Sequence, residues 1–168
     1  MSYYRRKFAG QVLQHRSRLR RFLTKSENNP HKDLEAFANK AETEVWQEVN
    51  CLECSNCCRT MTPTYTFKDL QKISKHLNMT ISQLKAKWLY KNREGEWMNV
   101  STPCQFLDRK TNLCTIYEVR PADCAEFPHL NKRKITDYIH IHKQNVHHCP
   151  ATFKWVQKLM DSVVEERC

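Results

Sequence analysis

Between residues 51 and 58 the chain places four thiols, Cys51, Cys54, Cys57 and Cys58, a C-x2-C-x2-C run with one more cysteine directly after it. Two thiolates separated by two residues can converge on one ion from a tight turn. A third at the same spacing supplies a third corner, as in the cysteine runs that hold cubane iron–sulfur clusters. Adjacent side chains diverge, so Cys57 and Cys58 do not grip one atom in a regular geometry; one of them faces a second centre or stays unligated. Cys104, Cys114 and Cys124 follow with nine residues between each, and Cys149 precedes a proline. These eight thiols allow one centre with spare ligands or two four-ligand centres per chain. The metal expected is zinc or iron, as a mononuclear ion or an iron–sulfur cluster. His147 and His148, in a segment that also holds His140 and His142, are candidate auxiliary ligands as neutral imidazoles. A lone cysteine is ordinarily a small buried hydrophobe, a reading that does not fit the 51–58 cluster.

These side chains need elements to hold them. Tyr4, Phe8, Val12, His15, Leu19 and Phe22 recur at helical spacing, and after the break at Asn28-Asn29-Pro30 a second stripe runs through Leu34, Phe37, Ala38, Ala41, Val45 and Val49. A basic helix followed by an acidic one predicts an antiparallel helical hairpin with complementary faces. A short helix is expected from Thr66, and Thr80 can cap a second one. Residues 96–101 alternate weakly like a strand. Residues 104–107 and 113–116, around the polar turn at 108–112, read as a β-hairpin that would bring Cys104 and Cys114 together. Pro121 opens a helical turn that carries Cys124. Pro150 opens the last helix, which would put Cys149 where free N–H groups and the helix dipole favour a thiolate. Residues 130–148 are ambiguous, with strand-like alternation at Tyr138-Ile139-His140-Ile141. Trp88, Trp97 and Trp155 are expected in the core around the cysteines. The fold class expected is α+β and mostly helical: a hairpin extension over 1–48, then a small metal-stapled cysteine-cluster domain over 49–168 with a short β-hairpin, closed by the C-terminal helix.

The ordered series Cys51-Leu52-Glu53-Cys54-Ser55-Asn56-Cys57-Cys58, Cys104-Gln105-Phe106-Leu107, Cys114-Thr115-Ile116-Tyr117, Arg120-Pro121-Ala122-Asp123-Cys124 and Cys149-Pro150-Ala151 resembles the YkgJ-like cysteine-cluster proteins. These are the CxxCxxCC family of zinc- or iron-chelating domains. The resemblance covers about residues 49–152, with Ser55 where a glycine is common and Gln105 where proline is frequent. Neither departure removes a ligand. The resemblance implies metal chelation in the bacterial cytoplasm. A similar cluster in flagellin lysine-N-methylases makes a role beside protein methylation a further context.

Composition narrows the function classes. With two glycines in 168 residues, no GxGxxG, P-loop or glycine-rich methyl-donor loop can be written. The chain on its own therefore does not read as a complete enzyme, and no nucleophile–base–acid arrangement emerges from spacing. No run approaches a membrane span, and the Phe8–Leu13 stretch is too short and polar for a secretion signal. Nine cysteines, an odd number in tight spacings, suit reduced thiols in the cytoplasm better than a disulfide framework. Net charge is +10, but residues 1–25 carry eight Lys/Arg and no acid, whereas residues 26–50 carry six acids and two lysines. Two tetrathiolate centres would lower the total to about +6. The leading expectation is a structural or regulatory metal-binding protein with a protein partner. An iron–sulfur redox protein is the alternative, and nucleic-acid binding through the basic first helix is a weaker one. Arg120 could hold an anion near the metal or pair with Glu118 or Asp123.

Overall fold

The first apolar stripe becomes α1 (Tyr3–Asn28) and the second α2 (Leu34–Glu48) in a computed structural model that describes residues 3–132 and 134–166. Phe8, Val12, Leu19 and Leu23 of α1 are buried, as are Leu34, Ala38, Ala41 and Val45 of α2. The Tyr4 side chain and Cys168 lie outside the described residues. Two compact units result. The first comprises Met1–Cys54 with Pro128–Cys168, and the second is Ser55–Phe127.

In the first unit, α2 packs most extensively on α9 (Pro150–Glu165), while α1 packs on α9 and on α8 (Ile135–Asn145). Trp155 of α9 is wholly buried and donates Nε1–H to the Ala38 carbonyl at 2.9 Å. It thus belongs to the helical core of this unit. Removing such side chains from water stabilises the unit by roughly 1.5–3 kcal/mol each. The acids of α2 find their cations on α9: Lys158 reaches Glu44 and Glu48 at 2.9 Å, and Lys154 reaches Glu48 at 2.7 Å. Glu27 of α1 pairs with Lys143 of α8. The complementarity expected between the arginines of α1 and the acids of α2 is therefore replaced by lysines contributed from the far end of the chain.

The segment with strand-like alternation is α8, because Ile135, Ile139 and His142 (i, i+4, i+7) form its buried face. Cys51–Cys54 form the short α3, which ends this part of the unit.

The second unit holds a three-stranded antiparallel sheet, ordered β1 (Thr64–Tyr65), β3 (Trp97–Asn99), β2 (Leu89–Lys91). The β2–β3 hairpin turns through Gly95, whose φ of +85° is costly for any side chain. Asn92 clasps this turn, accepting from the Glu96 N–H at 2.8 Å. α5 (Phe67–His76) and α6 (Ile81–Trp88) are each opened by a complete capping box, at Thr66 with Asp69 and at Thr80 with Gln83. Their apolar faces join Tyr65, Leu70, Ile73, Leu84, Leu89, Phe106 and Ile116 in a small core, with Trp88 and Trp97 half-buried against it. The hairpin expected at 104–116 shrinks to one antiparallel bridge, Leu107 with Cys114. Around this bridge the Thr115 N–H donates to the Phe106 carbonyl at 2.8 Å and the Asp108 N–H to the Leu113 carbonyl at 2.9 Å, while the Cys104 N–H turns away to the Cys58 carbonyl at 2.7 Å.

Candidate metal centre

In the second unit five candidate ligands come from three short pieces of chain. Cys57 and Cys58 sit on α4 (Asn56–Thr60), Cys104 and Cys114 on the two sides of the bridged loop, and Cys124 on α7 (Ala122–Glu126). All five are half-buried.

Local chemistry fixes each piece. Ser55, at the start of α4, adopts the left-handed conformation (φ 40°), which accounts for glycine suiting that position. Its hydroxyl donates to Asn112 Oδ1 at 2.5 Å, and Arg59 Nη2 donates to the same oxygen at 2.6 Å. The Cys57–Cys58 turn is thereby tied to the loop between Cys104 and Cys114. The Asp69 carboxylate, almost fully buried, accepts from the Thr66 hydroxyl at 2.6 Å and from the Ala122 N–H at 3.1 Å, which links α5 to the turn carrying Cys124. Asp123 Oδ2 accepts from the Thr64 N–H at 3.0 Å and joins β1 to the same turn.

These supports bring Cys58, Cys104, Cys114 and Cys124 within electrostatic reach of one another. Burial raises the pKa of Cys104, Cys114 and Cys124, and in each case a charge on Cys58 raises it further. Cys58 itself is lowered to about 7, chiefly by a hydrogen bond from the Cys57 thiol, 4.0 Å away, with help from its own backbone and from Arg59. Tyr65 is buried beside the group: burial and charges on Cys104, Cys124 and Cys114 all disfavour its phenolate. Its hydroxyl donates to Asn99 Oδ1 at 2.6 Å, an oxygen shared with Gln105 Nε2 at 2.9 Å. Asn99 Nδ2 is buried with no partner at hydrogen-bonding distance, and the same side chain favours the Cys104 thiolate. An orphaned amide donor facing a thiol suits a sulfur that carries charge, and four soft donors suit zinc or iron. Arg120 stacks on the Tyr117 ring (3.8 Å) and donates to the Tyr117 carbonyl, and its charge favours the Cys114 thiolate.

In the first unit, Cys149 caps α9 and is buried. Burial pushes its thiol up to about 11 despite the Thr152 and Ala151 N–H groups, and a charge on the exposed Cys51 pushes the same way. Cys54 is buried at the end of α3. His147 Nε2 lies 3.2 Å from Arg20 Nη1, and its ring is 6.2 Å from that of His148. Among the described residues, the trio whose potential ligand atoms all lie within 4.8 Å of one another is His31, Asp33 and Glu166. Lys32 bridges those two carboxylates at 3.6 and 3.5 Å, so the trio reads as a surface ion-pair cluster. The thiols of the second unit form a looser group.

The supporting residues Asn99, Tyr65, Arg59 and Asn112 were not legible in the sequence. They are ordinary polar residues whose role depends on tertiary contacts, and only the nearness of Arg59 to Cys58 offered a local signal.

A family model described as "CxxCxxCC: putative zinc- or iron-chelating domain" matches residues 50–150. The chain belongs to this family. Over 82 residues it is also 37% identical to an uncharacterized protein of Methanocaldococcus jannaschii, a match that spans 48% of this chain and 44% of that relative. No solved structure is significantly similar to the chain. Among the described residues no helix is long and apolar enough to cross a membrane. The CxxCxxCC assignment supports metal binding through the cysteine cluster.

Proposed function

We propose that this CxxCxxCC protein holds zinc or iron through thiolates, with Cys58, Cys104, Cys114 and Cys124 as one four-ligand centre. The observation that carries the reading is the electrostatic convergence of these four thiols from three chain segments around Tyr65. Cys57 is a fifth thiol beside the centre. Cys51, Cys54 and Cys149 form a separate thiol group, with His147 and His148 as its auxiliary candidates. The metal's role would be structural or regulatory: on binding it would displace the protons that burial keeps on Cys104, Cys114 and Cys124 and tie together the loops that carry them. The chain's own residues tune the site. Cys57 and Arg59 favour the Cys58 thiolate, Asn99 that of Cys104, and Arg120 that of Cys114. The C-x2-C-x2-C spacing favours a second reading, in which the thiols carry an iron–sulfur cluster for electron transfer.

Metal content per chain, measured by mass spectrometry on protein purified without oxygen and without a metal-affinity tag, tests both. Zinc at one or two ions per chain is the expected result. Iron at several atoms per chain with bound sulfide would establish the second reading, and neither metal would overturn both. Cys58→Ser and Cys124→Ser should each abolish one centre, Cys54→Ser should lower the metal bound by the other thiol group, and Cys168→Ser should change nothing. Equal loss in all four variants would refute the ligand assignment.

A further inference from the structure

We propose that the exposed face of α1 is a docking surface for duplex DNA, gripping its phosphates across the major groove. This inference is independent of the metal reading. It rests on where the helix spends its charges. α1 buries Phe8, Val12, Leu19, Leu23 and Ser26 on one side. Lys7, Arg16, Arg18, Arg20, Arg21 and Lys25 are all exposed on the remaining arc. Elsewhere in the first unit, Lys143 pairs with Glu27, Lys154 with Glu48, and Lys158 with Glu44 and Glu48. None of these six cations of α1 is matched with a carboxylate among the described residues; Arg20 alone has a side-chain partner there, the neutral acceptor His147. Long, unpaired arginines crowded on one helix repel one another, and a polyanion relieves that repulsion.

The arrangement favours duplex DNA over other polyanions. Lys7, Gln11, Gln14, Arg18, Arg21 and Lys25 follow one another at i, i+4, i+7, i+11, i+14 and i+18, a continuous exposed stripe. At 1.5 Å per residue it is about 27 Å long. Arg16 and Arg20 lie on the opposite flank of the same exposed arc. A helix that carries cations on both flanks of its exposed arc matches a groove walled by phosphates on both sides. The B-form major groove, about 12 Å wide, admits a helix, whereas the A-form groove of duplex RNA does not. An anionic membrane fits poorly, because the apolar stripe a surface helix would insert is already buried against α8 and α9.

The test uses the full chain as purified and a fluorescein-labelled DNA duplex of about 20 base pairs, with anisotropy followed from about 50 to 200 mM salt. Binding should weaken with a log–log slope of about −4, as expected for some four to five phosphates neutralised. The variant Arg18→Gln/Arg21→Gln/Lys25→Gln, altered only at exposed positions, should have a slope shallower by about 2 to 3 and an affinity at least about 100-fold lower near 100 mM salt. Circular dichroism would confirm its helix content. Lys68→Gln/Lys75→Gln/Lys110→Gln removes the same charge from exposed positions of the second unit. Its slope should equal that of the unaltered chain. An equal fall in both variants would reduce the effect to net charge and overturn the proposal. So would equal or tighter binding to an RNA duplex of the same sequence, binding to phosphatidylserine vesicles without binding to DNA, or no binding at all.

Discussion

At His142 the chain has buried an imidazole almost completely, with its ring 4.7 Å from that of Trp155 and its Nδ1 without a hydrogen-bond partner. Burial, reinforced by His129 and His140, lowers its pKa to about 4. An imidazole depressed in the fold but ordinary when unfolded takes up its proton preferentially in the unfolded chain. Its contribution to stability is therefore complete above about pH 6.5, falls as pH drops toward 4, and is then constant, a loss of the order of 3 kcal/mol. Urea unfolding of the helical signal between pH 7 and 4 should show this fall, and His142→Leu should flatten it. An undiminished slope in the variant would refute the assignment. Nothing in the sequence separates His142 from its neighbours His140, His147 and His148, because burial of one imidazole among several is decided by the face that α8 turns to the core.

Helix starts were the most legible elements, and the reason is local. At Thr66 and Thr80 both halves of the capping box lie within four residues, so no distant contact is needed to place α5 and α6. The two caps should nevertheless differ in weight. Thr80→Ala removes an exposed cap and should cost about 1 kcal/mol. Asp69→Ala removes an almost fully buried carboxylate and takes the shared acceptor from Thr66 and the Ala122 N–H, and should cost more, about 2 kcal/mol. Burial acts to raise the Asp69 pKa, but hydrogen bonds from Thr66, Lys72 and the Ala122 backbone prevail and hold it below the usual carboxylate range. The penalty should be present above about pH 4 and shrink as pH falls through the folded-state value. Denaturation followed by tryptophan fluorescence measures both variants. Strands were read less well than helices. Residues 97–99 pair as expected, but with Leu89–Lys91 and Thr64–Tyr65, segments too short to carry a periodicity. The Cys104–Ile116 arms do meet, through Thr115 with Phe106 and Asp108 with Leu113, but the pairing stays short because the Cys104 N–H is claimed by the Cys58 carbonyl.

For the molecule as a whole, the two units differ in what holds them. The first is sealed by long helices around Leu19, Leu23, Val45, Trp155 and Leu159, all essentially inaccessible to water. The second has a core of seven buried side chains, small enough that a chain of about 70 residues needs a staple. Removing metal with a chelator should therefore abolish the near-ultraviolet signal of Trp88 and Trp97 while most helical signal survives. Simultaneous loss of both signals would mean that the units do not fold separately. The way they alternate along the chain also sets the order in which a ribosome can complete them. α1 and α2 leave the exit tunnel with their apolar stripes bare, because α9 is made more than 100 residues later. At about 5–20 residues per second that wait lasts roughly 5–20 s. The whole of Ser55–Phe127 is synthesised during it, so its thiols reach the metal pool before the helical unit has the partner that closes it.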